Sequence, residues 1–204
     1  MPFIRHNAAP HTAAPAEADS LAVLARRLAS PDAGVRRGAA AALGTVPGAV
    51  GLLLAALDGE PEQAVRSALV DALGRIASGE SVAALAECLR SEDTWLRNAA
   101  IDVLRGLPEQ VAGAIAHLLA DWDRDVRILA VGILDTLRHE RLEEWLLQLV
   151  EADGDVNVCG AALDVLAEVA SQAAHGPVTR VMERFQEEPY IAFAGKLVLE
   201  RLEG

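Results

Sequence analysis

Histidine and cysteine are the side chains best suited to metal binding, nucleophilic attack or proton transfer, and this sequence does not cluster them. The catalytic signatures HExxH, GxSxG, GxGxxG and Walker A are all missing. We therefore predict no catalytic residues, no bound metal, no cofactor and a protein that is not an enzyme. The five histidines are scattered, as His6, His11, His117, His139 and His175.

Acidic and aromatic side chains are the remaining candidates, and their chemistry is that of binding. Carboxylates attract basic side chains, and exposed aromatic residues supply much of the free energy of protein interfaces. Residue type alone does not say where they lie, so the helices that carry them must be located first. The candidate partner-binding residues are Asp102, Asp135, Asp164, Glu168, Trp95, Trp122, Tyr190, Phe193 and Leu197.

A sixfold repeat positions these residues. In each copy an acidic residue is followed three residues later by an aliphatic anchor, as in Asp32 with Val35, and a leucine such as Leu43 follows eight residues after the anchor. Successive acids are 30 to 33 residues apart, which indicates one structural unit per repeat. The six acids are Asp32, Glu62, Asp93, Asp123, Asp155 and Glu188.

The spacing within a repeat predicts two helices. Positions 0, 4, 8 and 11 from the anchor share one face of an α-helix, here named helix B, and the acid lies where an N-cap belongs. Pro189 falls at the first helical position of the last copy. An amphipathic helix A precedes each cap, so six hairpins stack into an all-α solenoid over residues 20–204. The predicted A helices span residues 21–28, 49–57, 82–89, 111–119, 142–150 and 178–185.

The pattern Asp/Glu-x-x-Val/Leu-Arg-x-x-Ala-x-x-x-Leu-Gly, present at 32–44 and nearly intact at 62–74, resembles HEAT repeats. It is similar in particular to the short bacterial repeats also found in phycobilisome lyases. The resemblance implies a solenoid that binds proteins, with acid and arginine side chains bonded between neighbouring repeats. Cys159 and Ala192 replace the arginine in the last two copies, so we expect altered stacking there. The residues of this ladder are Asp32, Arg36, Arg66, Asp93, Arg97, Asp123 and Arg127.

The resemblance also implies that the B helices line the concave side, with acids facing outward. Surface ion pairs are one explanation for Asp71 with Arg75 and for Asp102 with Arg105, which lie one turn apart. The C-terminal acids have no basic residue one turn away on that face. We therefore predict an acidic groove for a basic or arginine-bearing partner. The acids without such a neighbour are Asp135, Asp164 and Glu168.

The aromatic residues allow two interpretations. Trp95 and Tyr190 immediately precede their anchors, and Trp122 immediately precedes its cap. They are either exposed interface anchors or side chains folded over neighbouring helix ends. Phe193 and Leu197 fall on the outer side of the last B helix. Either the terminal helix folds back differently, or this end is covered by a partner or by a second copy in a homodimer.

Composition restricts the class of partner and the cellular compartment that we expect. The 204-residue chain has 30 acids against 18 bases, a formal charge of −12, which disfavours nucleic acid and anionic membranes and favours a basic protein. Glycines and Pro47 interrupt the uncharged stretch at 38–57, so it is not predicted to span a membrane. Residues 1–19, rich in alanine and proline, are predicted to be a disordered tail without a secretion signal. Two cysteines in separate repeats fit a reducing compartment, so a cytoplasmic location is expected.

Cys88 and Cys159 are predicted to serve as small apolar side chains. For Cys159, a reactive thiol near the start of a helix is the alternative.

The sequence thus predicts a non-catalytic scaffold, adaptor or regulatory subunit in a bacterial signalling or assembly complex. The resemblance leaves an alternative, a subunit of a tetrapyrrole (bilin) lyase complex. A HEAT-like DNA glycosylase would need a basic groove, which the charge disfavours.

Overall fold

The computed structural model describes residues 21–137 and 139–203, and these ranges form twelve α-helices and one short 3-10 helix, with no strand. The A helices are α1 (Leu21–Leu28), α3 (Val50–Leu57), α5 (Gly79–Cys88), α7 (Pro108–Leu119), α9 (Leu142–Ala152) and α11 (His175–Arg184). The B helices are α2 (Ala33–Leu43), α4 (Gln63–Ile76), α6 (Thr94–Arg105), α8 (Arg124–Leu134), α10 (Val156–Val169) and α12 (Pro189–Glu203). The predicted all-α solenoid of six hairpins is confirmed. The predicted tail at 1–19 lies outside the described residues.

Acidic caps start most of the B helices where the sequence predicts. The Asp32 carboxylate accepts the backbone N–H groups of Gly34, at 2.7 Å, and Val35, and three later aspartates cap their helices in the same way. Glu62 makes no side-chain cap, and α12 begins with Pro189. The cap satisfies N–H groups that have no partner within the helix.

Three A helices begin three residues earlier than predicted. α5, α7 and α11 start at residues 79, 108 and 175, where the apolar pattern predicted 82, 111 and 178. Ser78 and Ser81 form a reciprocal capping box ahead of α5, and Pro108 occupies the first position of α7. The prediction followed the first apolar residue, whereas the capping box and the proline set the starts of α5 and α7, and α11 continues directly from the 3-10 helix at Gln172–Ala174.

One continuous core runs through the repeats. The repeated leucine eight residues after the anchor is fully buried in the first five copies, from Leu43 to Leu166, and half-buried as Leu199 in the last. Val65 and Val158 are buried anchors, whereas Val35 in the first copy is partly exposed. Each hairpin therefore completes its core against its neighbours.

The A helices of repeats four and five are spread apart. α5 packs on α7 and α9 packs on α11, but in the described chain α7 and α9 make little direct contact. A hollow of about 430 Å³ lies between them, beside Trp145. His139, in the connection before α9, stacks on Trp145 with ring centroids 4.7 Å apart. α1 and α3 likewise make little direct contact, so the altered stacking predicted for the last two repeats stays a prediction.

Arginine bridges join neighbouring repeats, as the resemblance implied, but the acid is usually a different one. Arg36 binds Glu60 through two hydrogen bonds of 2.7 and 2.8 Å, and Arg127 binds Asp153 through two of 2.6 and 3.1 Å. Both acids lie two residues before the next cap and accept the backbone N–H of that cap. Only the pair of Arg66 with Asp93, the cap itself, matches the predicted ladder.

The other predicted ladder residues act within their own repeats, and the prediction was wrong for them. Asp32 and Asp123 cap their own helices, so their carboxylates face backbone N–H groups. Arg97 donates to the carbonyl of Ser91 in its own repeat. Asp121, the acid that Arg97 would reach in the next repeat, is instead paired with Arg90.

Cys159 takes over part of the arginine's role in repeat five. Its Sγ lies 3.4 Å from the carbonyl oxygen of Asp153, the position to which arginines bond in other repeats. Arg184 of repeat six fills the remaining space, donating to the carbonyls of Val150 and Glu151 at 2.6 and 2.9 Å. Burial raises the pKa of the Cys159 thiol. Its burial and these contacts support the predicted packing role of Cys159.

We expect Arg127→Met to lower the free energy of unfolding by about 2–4 kcal/mol, because the buried Asp153 carboxylate loses its bidentate partner. Arg124→Met is the matched control. Arg124 is exposed and lies 3.5 Å from Asp155, so its loss should cost about 0.5 kcal/mol or less. Urea unfolding followed by circular dichroism measures both, and equal costs would contradict the buried bridge.

Glycine is required where α4 meets α6. A Cβ on Gly74 would lie 2.5 Å from Cγ1 of Val103, and a β-branched side chain on a packed helix cannot easily move. We expect Gly74→Ala to destabilise by about 1–2 kcal/mol despite the better helix propensity of alanine. Gly113→Ala, in α7 with open space around it, should stabilise by about 0.5–1 kcal/mol. Thermal unfolding of the two variants should therefore shift in opposite directions.

Candidate functional site

The outward side of the B helices carries the predicted acids, and we name it the B face. Asp71 on α4 and Asp102 on α6 are exposed there, but neither forms the ion pair that their spacing suggested. Arg75 instead donates to the carbonyl of Ala41 in α2, at 2.9 Å, and Arg105 donates to the carbonyl of Gly132 in α8, also at 2.9 Å. Carbonyls in the last turn of a helix lack partners and attract cations, so each arginine bridges to a neighbouring repeat.

The C-terminal acids of the B face differ in whether they have a bonding partner within the described chain. Asp135 and Glu168 are exposed, and no ion pair to either occurs among residues 21–137 and 139–203. Asp164 is exposed as well, but its carboxylate accepts a hydrogen bond of 2.5 Å from the hydroxyl of Tyr190. The predicted acidic face is therefore present, although Asp164 already has a partner within the chain.

Trp95 is partly packed and not a fully exposed anchor, which corrects one of the two interpretations. The guanidinium carbon of Arg66 lies 4.3 Å from the centroid of its ring, and Arg66 is also paired with Asp93. The rest of the side chain lines a hollow on the B face together with Asp71 and Asp102. The fold thus brings Trp95 and Asp102, two of the predicted site residues, to one place.

Trp122 is the exposed aromatic residue that the sequence suggested. Its side chain is 82% exposed in the turn between α7 and α8. Tyr190 is 51% exposed, because one edge of its ring lies against α10: a Cβ on Gly160 would lie 2.9 Å from Tyr190 Cε1. Trp122 and Tyr190 therefore belong to different surfaces, one at a turn and one on the B face.

The last helix exposes an apolar stripe at the predicted positions. Phe193 is 60% and Leu197 41% exposed, while Ile191 and Val198 on the opposite side of α12 are buried. Nothing in the described chain covers this stripe, so the end of the solenoid remains apolar.

Sequence reasoning missed the inter-repeat acids Glu60, Asp121 and Asp153. A signal for them exists: a serine or an acid stands two residues before each of the first five caps, and in the structure its side chain accepts the backbone N–H of the cap. Where that residue is acidic, an arginine of the preceding repeat reaches it.

The hydrogen bond to Asp164, with burial and the negative charge as lesser causes, raises the pKa of Tyr190 to about 12. The folded state therefore favours the neutral phenol. This contribution to stability is complete below the ordinary pKa of about 10 and is lost as the pH rises through about 12.

Tyr190 is the only tyrosine, so tyrosinate absorbance reports on it alone. At pH 11 we expect roughly a tenth of the wild-type rings to be ionised, and most of them in Asp164→Ala, because that variant lacks the acceptor. Glu168→Ala removes a carboxylate from the same helix and should leave the titration unchanged. A wild-type midpoint near pH 10 would contradict the contact.

Two further features, a metal-binding cluster and a membrane-spanning helix, are absent from the described ranges. No group of three or more His, Cys, Asp or Glu side chains there is arranged to hold a metal ion. None of the helices described has both the length and the apolar character needed to cross a membrane.

Comparison with known proteins agrees with the fold. A family model described as HEAT repeats matches residues 50–115, which run from α3 into α7. A comparison of the sequence with curated proteins finds no match. The match confirms HEAT repeats over residues 50–115, where the sequence pattern indicated them.

Solved structures similar to this chain include three natural HEAT-like proteins. Human deoxyhypusine hydroxylase is 18% identical, with 90% of this chain and 84% of that chain covered and a TM-score of 0.47. The complex of CpcE and CpcF of phycocyanin lyase from Nostoc is 19% identical, with 98% and 100% covered and a TM-score of 0.39. An archaeal HEAT-like repeats protein from Thermococcus onnurineus is 18% identical, with 87% and 85% covered and a TM-score of 0.44. No activity or partner is transferred from them.

Proposed function

We propose that this solenoid is a non-catalytic scaffold, adaptor or regulatory subunit that binds a basic protein on its B face. The observation that carries the proposal is the set of exposed carboxylates on successive B helices that have no ion pair in the described structure. These carboxylates are Asp71, Asp102, Asp135 and Glu168.

Four arginines of the described chain are held by bonds within the chain. Arg75 and Arg105 bond to helix carbonyls of neighbouring repeats, and Arg36 and Arg127 are held in bridges between repeats. Their positive charge is thus committed to stacking, while the B face keeps its negative charge. Such a field attracts a basic protein and speeds its association.

The remaining parts of the proposal follow from the same observations. Both cysteines are free and buried, which suits a reducing compartment such as the cytoplasm, and a bacterial signalling or assembly complex is the proposed setting. Homodimerisation through Phe193 and Leu197, and the bilin-lyase alternative, stay predictions.

The test is partner capture with charge-matched variants. The tagged protein is incubated with an extract of the cells that produce it, and bound proteins are identified by mass spectrometry. We expect a basic partner with the wild type and its loss from the B-face variant Asp102→Lys, Asp135→Lys, Glu168→Lys, because like charges now oppose it.

The control variant Glu80→Lys, Glu109→Lys, Glu183→Lys makes the same change of charge at exposed positions of A helices. It should capture the partner as the wild type does. Thermal unfolding of both variants establishes that they are folded. Equal loss of the partner in both variants, or equal retention, would place the binding site elsewhere.

A further inference from the structure

A hollow of about 320 Å³ opens on the B face between repeats two and three. Its walls are the outward sides of α4 and α6, and its apolar parts come from Val70, Ala99 and Val103. Asp71 contributes a carboxylate from α4, and Asp102 contributes one from α6. Two helices thus present one acid each to the same space.

The charge of this hollow is not balanced from within. Four other hollows of the described surface each contain an arginine beside their acids, namely Arg127, Arg75, Arg90, or Arg90 with Arg97. The hollow on the B face contains no basic side chain. Arg75 and Arg105, which lie one turn from its acids, donate to carbonyls of neighbouring repeats instead. Arg66 and Arg97, which adjoin lining residues in the sequence, are held by Asp93 and by the carbonyl of Ser91.

Trp95 closes the hollow toward the start of α6. Its ring already stacks with one guanidinium, that of Arg66, so an indole here is compatible with arginine chemistry. Asn98 adds an exposed amide that makes no hydrogen bond to another described residue. The hollow therefore combines two carboxylates, a polar amide and an aromatic wall.

Repeats five and six contain the same arrangement in a filled form. Tyr190 occupies the repeat position of Trp95, one residue before the anchor, and Asp164 occupies that of Asp71, six residues after it. The phenol lies against Gly160 and donates its hydroxyl to Asp164. In repeats two and three the aromatic residue has no hydroxyl, so in the described structure the Asp71 carboxylate receives no such donor.

We infer that this hollow binds a single arginine side chain of the partner protein, and the inference rests on the proposed function. A guanidinium is planar and carries five N–H donors, so it can bridge carboxylates on two helices while its flat face meets an aromatic wall. A lysine ammonium is a compact point charge that lacks this planar match. Arg66 on Trp95 and the Tyr190 hydroxyl on Asp164 show the two component contacts separately within this chain.

The experiment is a nuclear magnetic resonance titration of the ¹⁵N-labelled full chain, with the Trp95 indole N–H as the reporter. A Trp95→Phe variant assigns that signal among the three tryptophans. The probe is the peptide acetyl-Gly-Arg-Gly-amide, and its citrulline analogue, which has nearly the same shape without the charge, is the control. We expect a saturable shift with the arginine peptide and at least about tenfold weaker binding of the citrulline and lysine analogues.

Two double variants distinguish binding within the hollow from attraction by the negative charge of the whole B face. Asp71→Asn, Asp102→Asn should weaken the arginine peptide at least about tenfold, whereas Asp135→Asn, Glu168→Gln removes the same charge from the same face and should leave its affinity within about twofold. All four positions are exposed, and matching thermal midpoints establish that both variants are folded.

Equal binding of the citrulline or lysine peptide, or equal weakening in both double variants, would overturn the arginine site. The partner-capture experiment tests the proposed function independently of the arginine site. If the hollow binds no arginine peptide but the B-face lysine variant still loses the partner, the arginine site fails and the proposed function stands. If the wild type captures no basic partner, the proposed function fails whatever the peptide does.

Discussion

Each hairpin has more apolar surface than its own two helices can cover, and this surplus forces the repeats to stack. The leucine eight residues after the anchor is buried in the first five copies, where the next repeat packs on its hairpin, and only half-buried in the last. A hairpin of about 30 residues cannot bury such a stripe by itself. The regular spacing along the chain follows from this need, and so do the close helix approaches such as that of Gly74 to Val103.

Stacking also decides where the positive charge goes. Helix ends and turns leave carbonyls without partners, and almost every basic residue of this chain is an arginine, which can reach them across a repeat boundary. Arg36 and Arg127 bond to carbonyls at the turn between helices A and B of their own repeats. Across repeat boundaries, Arg184 bonds to carbonyls in the last turn of α9, and Arg75 and Arg105 bond to carbonyls of neighbouring B helices. In the described structure the acids of the B face form no ion pair with these arginines, and Asp164 accepts a hydrogen bond from Tyr190.

Where residues depart from the repeat pattern, the contacts between repeats differ from those elsewhere in the chain. Cys159 stands in the arginine column, and Arg184 from the next repeat occupies the space that an arginine would take. The spread between α7 and α9 leaves a hollow between these two A helices. On the B face, the hollow beside Trp95 is open, whereas Tyr190 occupies the equivalent space in repeats five and six and bonds to Asp164. Trp95 and Tyr190 occupy equivalent positions of their repeats, so the difference between tryptophan and tyrosine accompanies the difference between an open and a filled hollow.

The sequence by itself determined the number of hairpins, the phase of their apolar stripes and the start of most B helices, because periodicity and N-capping are local properties. It also placed Phe193 and Leu197 on the outer side of the last helix, since the apolar stripe fixes which sides of a helix are outside. Only the tertiary structure decided which acid each arginine meets, that Asp164 is bonded to Tyr190, and that Asp71, Asp102 and Trp95 share one hollow. These contacts join residues about 24 to 31 positions apart, and a long flexible side chain can reach several partners at that range, so packing between repeats makes the choice.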